Sequence, residues 1–169
     1  MSDRYPEETT RIRLIAPNDR SRIHEIVVAA GNFDNQEIVT AMELVDESLQ
    51  KGEESGYLTV VAEVLSTNPI VEGYACYGPT PLTDGVFDLY WIAVHPEGQG
   101  RGIGRLLVQY VEDDIRSRNG RMLLIETSSR EGYDATIGFY ERINYKVAAR
   151  IKNFYHVGDD KLIFSKELK

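Results

Sequence analysis

Seven consecutive residues, Gly98, Gln99, Gly100, Arg101, Gly102, Ile103 and Gly104, carry the sharpest chemical signal in the chain. They lie between an apolar run that ends at Val94 and a stretch of helical periodicity that begins at Ile103. Backbone N–H groups at the start of a helix have no intrahelical acceptor and carry partial positive charge. Glycines let an anion come close to that backbone, and Arg101 and Arg105 add full charges beside it. The pattern therefore suits an anion, a pyrophosphate above all. Two other phosphate loops fit worse. A Walker A loop fails because, counting from Gly98 or from Gly100, its second glycine position holds Ile103 or Arg105. A dinucleotide fingerprint fails at its third glycine, again on Ile103 or Arg105, which disfavours a nucleotide-dependent oxidoreductase. Taken alone, the glycines leave open a ligand-free turn between a strand and a helix.

The flanking elements must hold that loop. Residues 86–94 read as a long apolar strand at the centre of a sheet. Ile103, Leu106, Leu107, Tyr110, Val111 and Ile115 recur at helical spacing, with Glu112, Asp113 and Arg116 on the opposite face, and Asn119-Gly120 closes the helix. Upstream, residues 11–16 alternate as a first strand, and Pro17-Asn18-Asp19 starts a helix carrying Ile23, Ile26 and Val27. Asp34 or Asn35 caps a second helix with Ile38, Met42, Leu44, Val45 and Leu49 as its apolar positions. Gly52 and Gly56 bracket a loop. Residues 57–65 and 70–77 are strands, and residues 78–81, with two prolines, are expected to be irregular. Downstream come a buried strand at 122–127, a helix at 133–143, and a final strand pair at 145–155 and 161–166 joined around Gly158, Asp159 and Asp160. The order β-α-α-β-β-β-α-β-α-β-β predicts an α/β (α+β) protein, a mixed sheet with helices packed on it.

Composition narrows the function classes. The 169 residues, 42% hydrophobic and 27% charged, fit a single domain over 1–169, with residues 1–10 as a flexible polar tail rather than a signal peptide. No apolar run approaches the roughly 18 residues that span a bilayer, so no membrane partner is expected. A net charge of −8 argues against nucleic acid, which needs clustered Lys and Arg. An acidic surface can steer a cationic amine, but it also serves solubility. The single cysteine, Cys76, forms no internal disulfide and reads as a small buried hydrophobe. His24, His95 and His156 are scattered, so no metal site is expected.

Gln99-x-x-Gly102-x-Gly104 matches the motif Gln/Arg-x-x-Gly-x-Gly/Ala, and the segment LYWIAVHPEGQGRGIGRLL resembles the strand, turn and helix of the GNAT superfamily of N-acetyltransferases. The likeness covers roughly residues 11–168, and its specific part is 88–145. It implies a mixed, mostly antiparallel central sheet of about seven strands flanked by about four helices. It also implies acetyl-CoA as cosubstrate with no metal. In that family the strand before the loop hydrogen-bonds the pantetheine arm through backbone, which carries over to Ile92, Ala93 and Val94. The loop and helix start bind pyrophosphate, which carries over to Gln99, Gly100, Arg101, Gly102, Ile103, Gly104 and Arg105.

Acetyl transfer to an amine needs a deprotonated amine beside the thioester carbon, donors for the oxyanion and a proton for the leaving thiolate. It needs no covalent enzyme intermediate, and the chain has no Ser-His-Asp or Cys-His signature. Gly138-Phe139-Tyr140-Glu141-Arg142 resembles the family segment whose Tyr lies near the coenzyme A sulfur, which makes Tyr140 the general-acid candidate. The alternative is an aromatic packed on the sheet, since Tyr133, Ile137 and Tyr140 share a helix face. Asp88 lies on one strand face with residues 90, 92 and 94. The family places an acidic residue on this strand in some members, so Asp88 is the base candidate. A plain strand-edge Asp, Glu126 in the neighbouring strand, or water alone are the alternatives.

Two residues depart from the family pattern. Asn144 replaces the glycine after the 133–143 helix, and Asn tolerates the left-handed turn needed there. Tyr133 stands near the family's coenzyme-contacting Asn. The acceptor pocket is expected to draw on Phe33, Tyr77, Tyr90, Trp91 and Tyr155, which suits a small hydrophobic amine or a peptide amine. Glu43, Glu47, Asp159 and Asp160 read as solvated surface. The polar start of the chain and the reliance on coenzyme A predict a cytoplasmic protein, and the resemblance leaves room for a homodimer through terminal strands, as in many relatives. A non-catalytic acyl-CoA-binding regulatory domain on the same fold is the competing reading.

Overall fold

The computed structural model describes residues 10–169, so the tail expected at 1–10 lies outside the described residues except for Thr10. Seven strands form one sheet in the order β1-β2-β3-β4-β5-β7-β6. They are β1 (Thr10–Leu14), β2 (Leu58–Val64), β3 (Ile70–Pro79), β4 (Val86–Val94), β5 (Met122–Ser128), β6 (Lys146–His156) and β7 (Asp159–Glu167). Four helices accompany them: α1 (Arg20–Ala30), α2 (Asn35–Lys51), α3 (Ile103–Ser117) and α4 (Asp134–Arg142). The element order is the one the sequence predicts, and β4 is the central strand. It runs parallel to β5, from Val86 opposite Met122 to Leu89 opposite Ile125. The β1–β2, β2–β3, β5–β7 and β6–β7 pairs are antiparallel. The expected mixed, mostly antiparallel sheet is therefore present.

The chain divides into two compact units. One comprises the chain up to Gly78 with Trp91–Val111, the other Pro79–Tyr90 with Glu112–Lys169. The first has an aliphatic core: Ile23, Ile26 and Val27 of α1, Val45 of α2, Val60 and Val61 of β2, and Ile103 and Leu107 of α3 are fully or almost fully buried. Asp34 caps α2 reciprocally with Glu37. Its carboxylate accepts from the Glu37 N–H at 2.8 Å, and the Glu37 carboxylate accepts from the Asp34 N–H at 2.7 Å. Cys76 is buried, as expected, and burial pushes its thiol up to about 11.

Asparagine closes two helices by the same device. Asn119 (φ 62°) follows α3, and Asn144 (φ 69°) follows α4. In each case the next residue donates back five positions, Gly120 N–H to Ile115 O at 2.8 Å and Tyr145 N–H to Tyr140 O at 3.0 Å.

Three expectations need correction. Gly78 and Pro79 continue β3 rather than forming an irregular segment. Pairing with β2 stops at Leu58 opposite Tyr77, so β2 makes no demand on the N–H that Pro79 lacks. Asp159 and Asp160 are buried, not solvated: the β6–β7 turn is only Val157 and Gly158, so both aspartates belong to β7. Asp159 accepts from Ser128 Oγ, and Asp160 from Arg150 Nε and the Asn153 N–H. Glu112, assigned to the polar face of α3, is 3% exposed. Tyr145 and Lys166 supply donors that its position in the helical pattern does not reveal.

Candidate active site

The glycine loop belongs to the first unit. After β4, Pro96–Gly98 forms a single 3-10 turn whose cap is His95, with Nδ1 accepting from the Glu97 N–H at 3.3 Å. Gln99 then folds back, its Nε2 donating to Val94 O at 3.3 Å. Gly100 (φ +74°) and Gly102 (φ +83°) adopt left-handed backbone, and an added Cβ on either would meet nothing within 4 Å. The first helical donor to reach back four residues is the Leu106 N–H, to Gly102 O at 3.0 Å. The N–H groups of Ile103, Gly104 and Arg105 therefore precede the α3 hydrogen-bond ladder, where a helix presents unpaired donors to an anion. Arg105 is exposed, and Arg101 is half-buried with Nη1 donating to Glu97 O at 3.4 Å. Open backbone, left-handed glycines and two guanidinium groups fit a pyrophosphate.

Two residues that pattern reasoning passes over support this loop. At Gly73 of β3 a Cβ would lie 3.1 Å from Ala93 O and from Ile103 Cγ2, so glycine lets α3 settle against the strand. A lone glycine inside a strand pattern is the signal for such a close approach. Beside it the β2–β3 register slips, Ala62 facing Gly73 and Glu63 facing Val71, which leaves Glu72 as the extra residue of a bulge. Glu72 is buried, and its carbonyl accepts from the His95 N–H at 2.8 Å. Its carboxylate lies 3.5 Å from an Arg22 guanidinium nitrogen. Nothing in the local sequence marks a buried Glu in mid-strand.

Along β4 the burial alternates. Phe87, Leu89 and Ala93 are buried, while Asp88, Tyr90, Ile92 and Val94 are half-buried on the other face. Asp88 accepts a hydrogen bond from Thr80 Oγ1 at 2.6 Å. Glu126 is exposed and paired with Lys161. In the first unit Phe33 meets Trp91, ring centroids 5.4 Å apart, and the buried Trp91 indole N–H has no hydrogen-bond partner among the described residues. Tyr77 of β3 is 1% exposed within the first unit. Tyr155 is exposed on the edge strand β6 and packs edge-on against Phe154.

In the second unit Tyr140 is 3% exposed in α4. Its ring packs against Phe139, Phe164 and Tyr145, at centroid distances of 5.3, 5.6 and 6.0 Å. Burial, reinforced by the nearby Tyr133, holds its phenol well above the ordinary value, so it stays protonated at neutral pH. Tyr133 caps the start of α4, with the Arg130 guanidinium 5.1 Å over its ring and Arg130 Nη2 donating to its hydroxyl at 3.4 Å.

Comparison with known proteins bears on this geometry. The family model of the acetyltransferase (GNAT) domain matches residues 55–147, more than half of the chain. A crystal structure of a GNAT-family protein from Desulfovibrio desulfuricans is 42% identical, covers 95% of this chain and 99% of its own, and superposes with a TM-score of 0.89. The [ribosomal protein bS18]-alanine N-acetyltransferase of Salmonella typhimurium is 34% identical over 77 residues, 44% of this chain and 51% of its own length. The L-amino acid N-acyltransferase MnaT of Escherichia coli is 27% identical over 99 residues, 57% of this chain and 55% of its own. The chain thus spans about half the length of these curated relatives. It belongs to the GNAT acetyltransferase family.

Proposed function

We propose that the protein is an acetyl-CoA-dependent N-acetyltransferase acting on the primary amine of an amino acid, a peptide terminus or a similar small acceptor. The observation that carries this is the loop at residues 98–105, where left-handed Gly100 and Gly102 lead open backbone into the donor end of α3. The names of the two curated relatives put their own acceptor amine on an alanine and on an L-amino acid, which supports this acceptor class. Gln99 to Arg105 hold the pyrophosphate, and the backbone of Ile92, Ala93 and Val94 holds the pantetheine arm. Phe33, Tyr77, Tyr90 and Trp91 receive the acceptor. Tyr155 is a more distal candidate on the β6 edge. Tyr133 takes the place of the family's Asn at the opening of α4.

In the reaction the amine lone pair attacks the thioester carbonyl carbon, and the tetrahedral intermediate collapses with cleavage of the C–S bond. The thiolate takes a proton from the Tyr140 hydroxyl, and the nitrogen loses one to Asp88, directly or through water. The products are the acetamide and free coenzyme A. An Asp88→Asn variant that left the pH–rate profile unmoved would assign the base elsewhere.

Among the described residues no helix is long and apolar enough to cross a membrane. Dependence on coenzyme A fits a cytoplasmic location. The exposed edge strand β6 offers Val147, Ile151, Phe154 and Tyr155 to a second copy, so a homodimer belongs to the same reading.

The test is calorimetric titration with acetyl-CoA, with NADH and ATP as controls, followed by thiol release with free amino acids and an alanine-terminated peptide. Selective one-to-one acetyl-CoA binding with amine-dependent thiol release is expected. Binding without turnover would favour the regulatory acyl-CoA-binding domain, and a folded protein that ignores acetyl-CoA would sink the proposal.

A further inference from the structure

Glu112 points a carboxylate into the second unit, where it is almost wholly shielded from water. Three donors meet it. Tyr145 Oη donates at 2.9 Å, Lys166 Nζ at 2.9 and 3.1 Å, and an Arg116 guanidinium nitrogen lies at 3.5 Å. Lys166 reaches further: its ammonium also donates to Ile143 O at 3.1 Å, just past the end of α4, and lies 5.3 Å from the centre of the Tyr145 ring. A cation suits the carbonyl end of a helix. The cluster therefore joins α3, β7 and the turn after α4 through one buried charge.

That turn closes on Tyr140, which lies in the last turn of α4. The Tyr140 carbonyl accepts from Ile143 N–H at 3.2 Å and from Tyr145 N–H at 3.0 Å. The Tyr145 ring meets the Tyr140 ring edge-on. Tyr145 thus grips Tyr140 with its N–H and its ring while its hydroxyl is anchored on Glu112. A buried ion pair is a poor device for stability alone, since well-packed apolar residues of similar volume often serve as well or better. Its directional hydrogen bonds instead select one arrangement. A general acid has such a need, because its hydroxyl must be held to within about 0.5 Å of the productive position. Apolar packing around Tyr140 restrains the ring but gives no directional anchor.

We propose that Glu112, acting through Tyr145 and Lys166, is a positioning residue for the Tyr140 hydroxyl. The inference rests on the assignment of Tyr140 as general acid.

A double-mutant cycle tests it, using thiol release from acetyl-CoA with the best acceptor among the free amino acids and the alanine-terminated peptide. Tyr140→Phe alone is expected to lower kcat about 100-fold. Tyr145→Phe removes only the hydroxyl that Glu112 holds, so it is the mild probe. It is expected to lower kcat about tenfold with the acetyl-CoA KM unchanged. In the Tyr140→Phe background the same change should cost nothing further, because there is no hydroxyl left to position. Glu112→Gln should behave alike, and circular dichroism and Tm establish that each variant is folded. If Tyr145→Phe lowers kcat equally in both backgrounds, or raises the acetyl-CoA KM in parallel, the cluster is merely structural and the inference falls. A wild-type rate for Tyr140→Phe alone would instead overturn the acid assignment, and that single variant distinguishes the two failures.

Discussion

The glycine loop at residues 98–104 and the Glu112–Tyr145–Lys166 cluster handle charge in opposite ways. The loop leaves backbone donors open and puts left-handed glycines where nothing crowds them. The cluster encloses an anion and surrounds it with side-chain donors from its own unit. The loop is assembled from neighbours in sequence, whereas the cluster joins residues 33 and 54 positions apart. An open set of donors is suited to bind something from outside. A closed set fixes the geometry of what surrounds it.

The comparison breaks most visibly at Glu112. Replacing it with Ala leaves the half-buried Lys166 and the buried Tyr145 hydroxyl without their carboxylate. Removing one partner of a buried pair costs about 3–5 kcal/mol, which for a chain of this size is a Tm fall of roughly 10 °C by thermal melts. Acetyl-CoA affinity of the folded fraction should stay within about twofold, because Glu112 lies about two helical turns beyond Arg105 along α3 and bonds Tyr145, Lys166 and Arg116, all outside the loop. A large loss of affinity would mean that the two regions are coupled.

Gly102→Val should do the converse. A β-branched residue at φ +83° strains the backbone, yet its Cβ would have nothing within 4 Å to collide with. Calorimetry should show acetyl-CoA affinity about 100-fold lower, near 2.8 kcal/mol at 1.4 kcal/mol per decade. The Tm should move by only a few degrees. Unchanged affinity would remove the loop from the coenzyme site.

The smallest effect is in pH. Burial, and then the neighbouring Glu112, hold the Tyr145 phenol well above its ordinary value, and burial does the same for Tyr140. Both stay neutral in the fold while the unfolded chain begins to ionise near pH 10, so this contribution is complete below about pH 10 and lost as the pH rises further. Tyr145→Phe should make the alkaline loss of stability shallower. On the acid side Asp19 and Glu63 of the first unit sit below the usual carboxylate range. Burial alone would raise Asp19, but the Arg13 guanidinium outweighs it, and Arg13 and then Arg11 depress Glu63. Their contribution is complete above about pH 4.5 and lost as the pH falls through their lowered values. Denaturant titrations across both ranges check the signs.

What the sequence made legible was local. Periodicity marked the helices, and β-branched runs marked the strands. The bounds of β4 match expectation because a run that is apolar but for Asp88, between a proline-rich stretch and a glycine loop, allows little else. Asn119 and Asn144 were legible as helix ends because few other residues tolerate φ near +65°. The buried acids were not legible. Glu112, Asp159 and Asp160 look like any solvated acid until a partner such as Lys166, Ser128 or Arg150 arrives from elsewhere in the chain. The burial of Tyr77 was not legible either, since a strand tyrosine reads the same whether it lines a pocket or fills a core. Glu72 needed the register slip to be seen at all.

The end of α3 also bears on how the protein ages. Asn followed by Gly is the pair most prone to deamidation, which begins when the glycine nitrogen attacks the Asn side-chain carbonyl and closes a succinimide ring. Here the Gly120 N–H is committed to Ile115 O, and Gly120 itself is wedged against Ile115 and Phe87. The nucleophile is thus tethered for as long as the helix end stays closed. Isoaspartate at position 119 would accumulate only through openings of that turn, and its rate of appearance in stored protein would serve as a slow clock for local fraying.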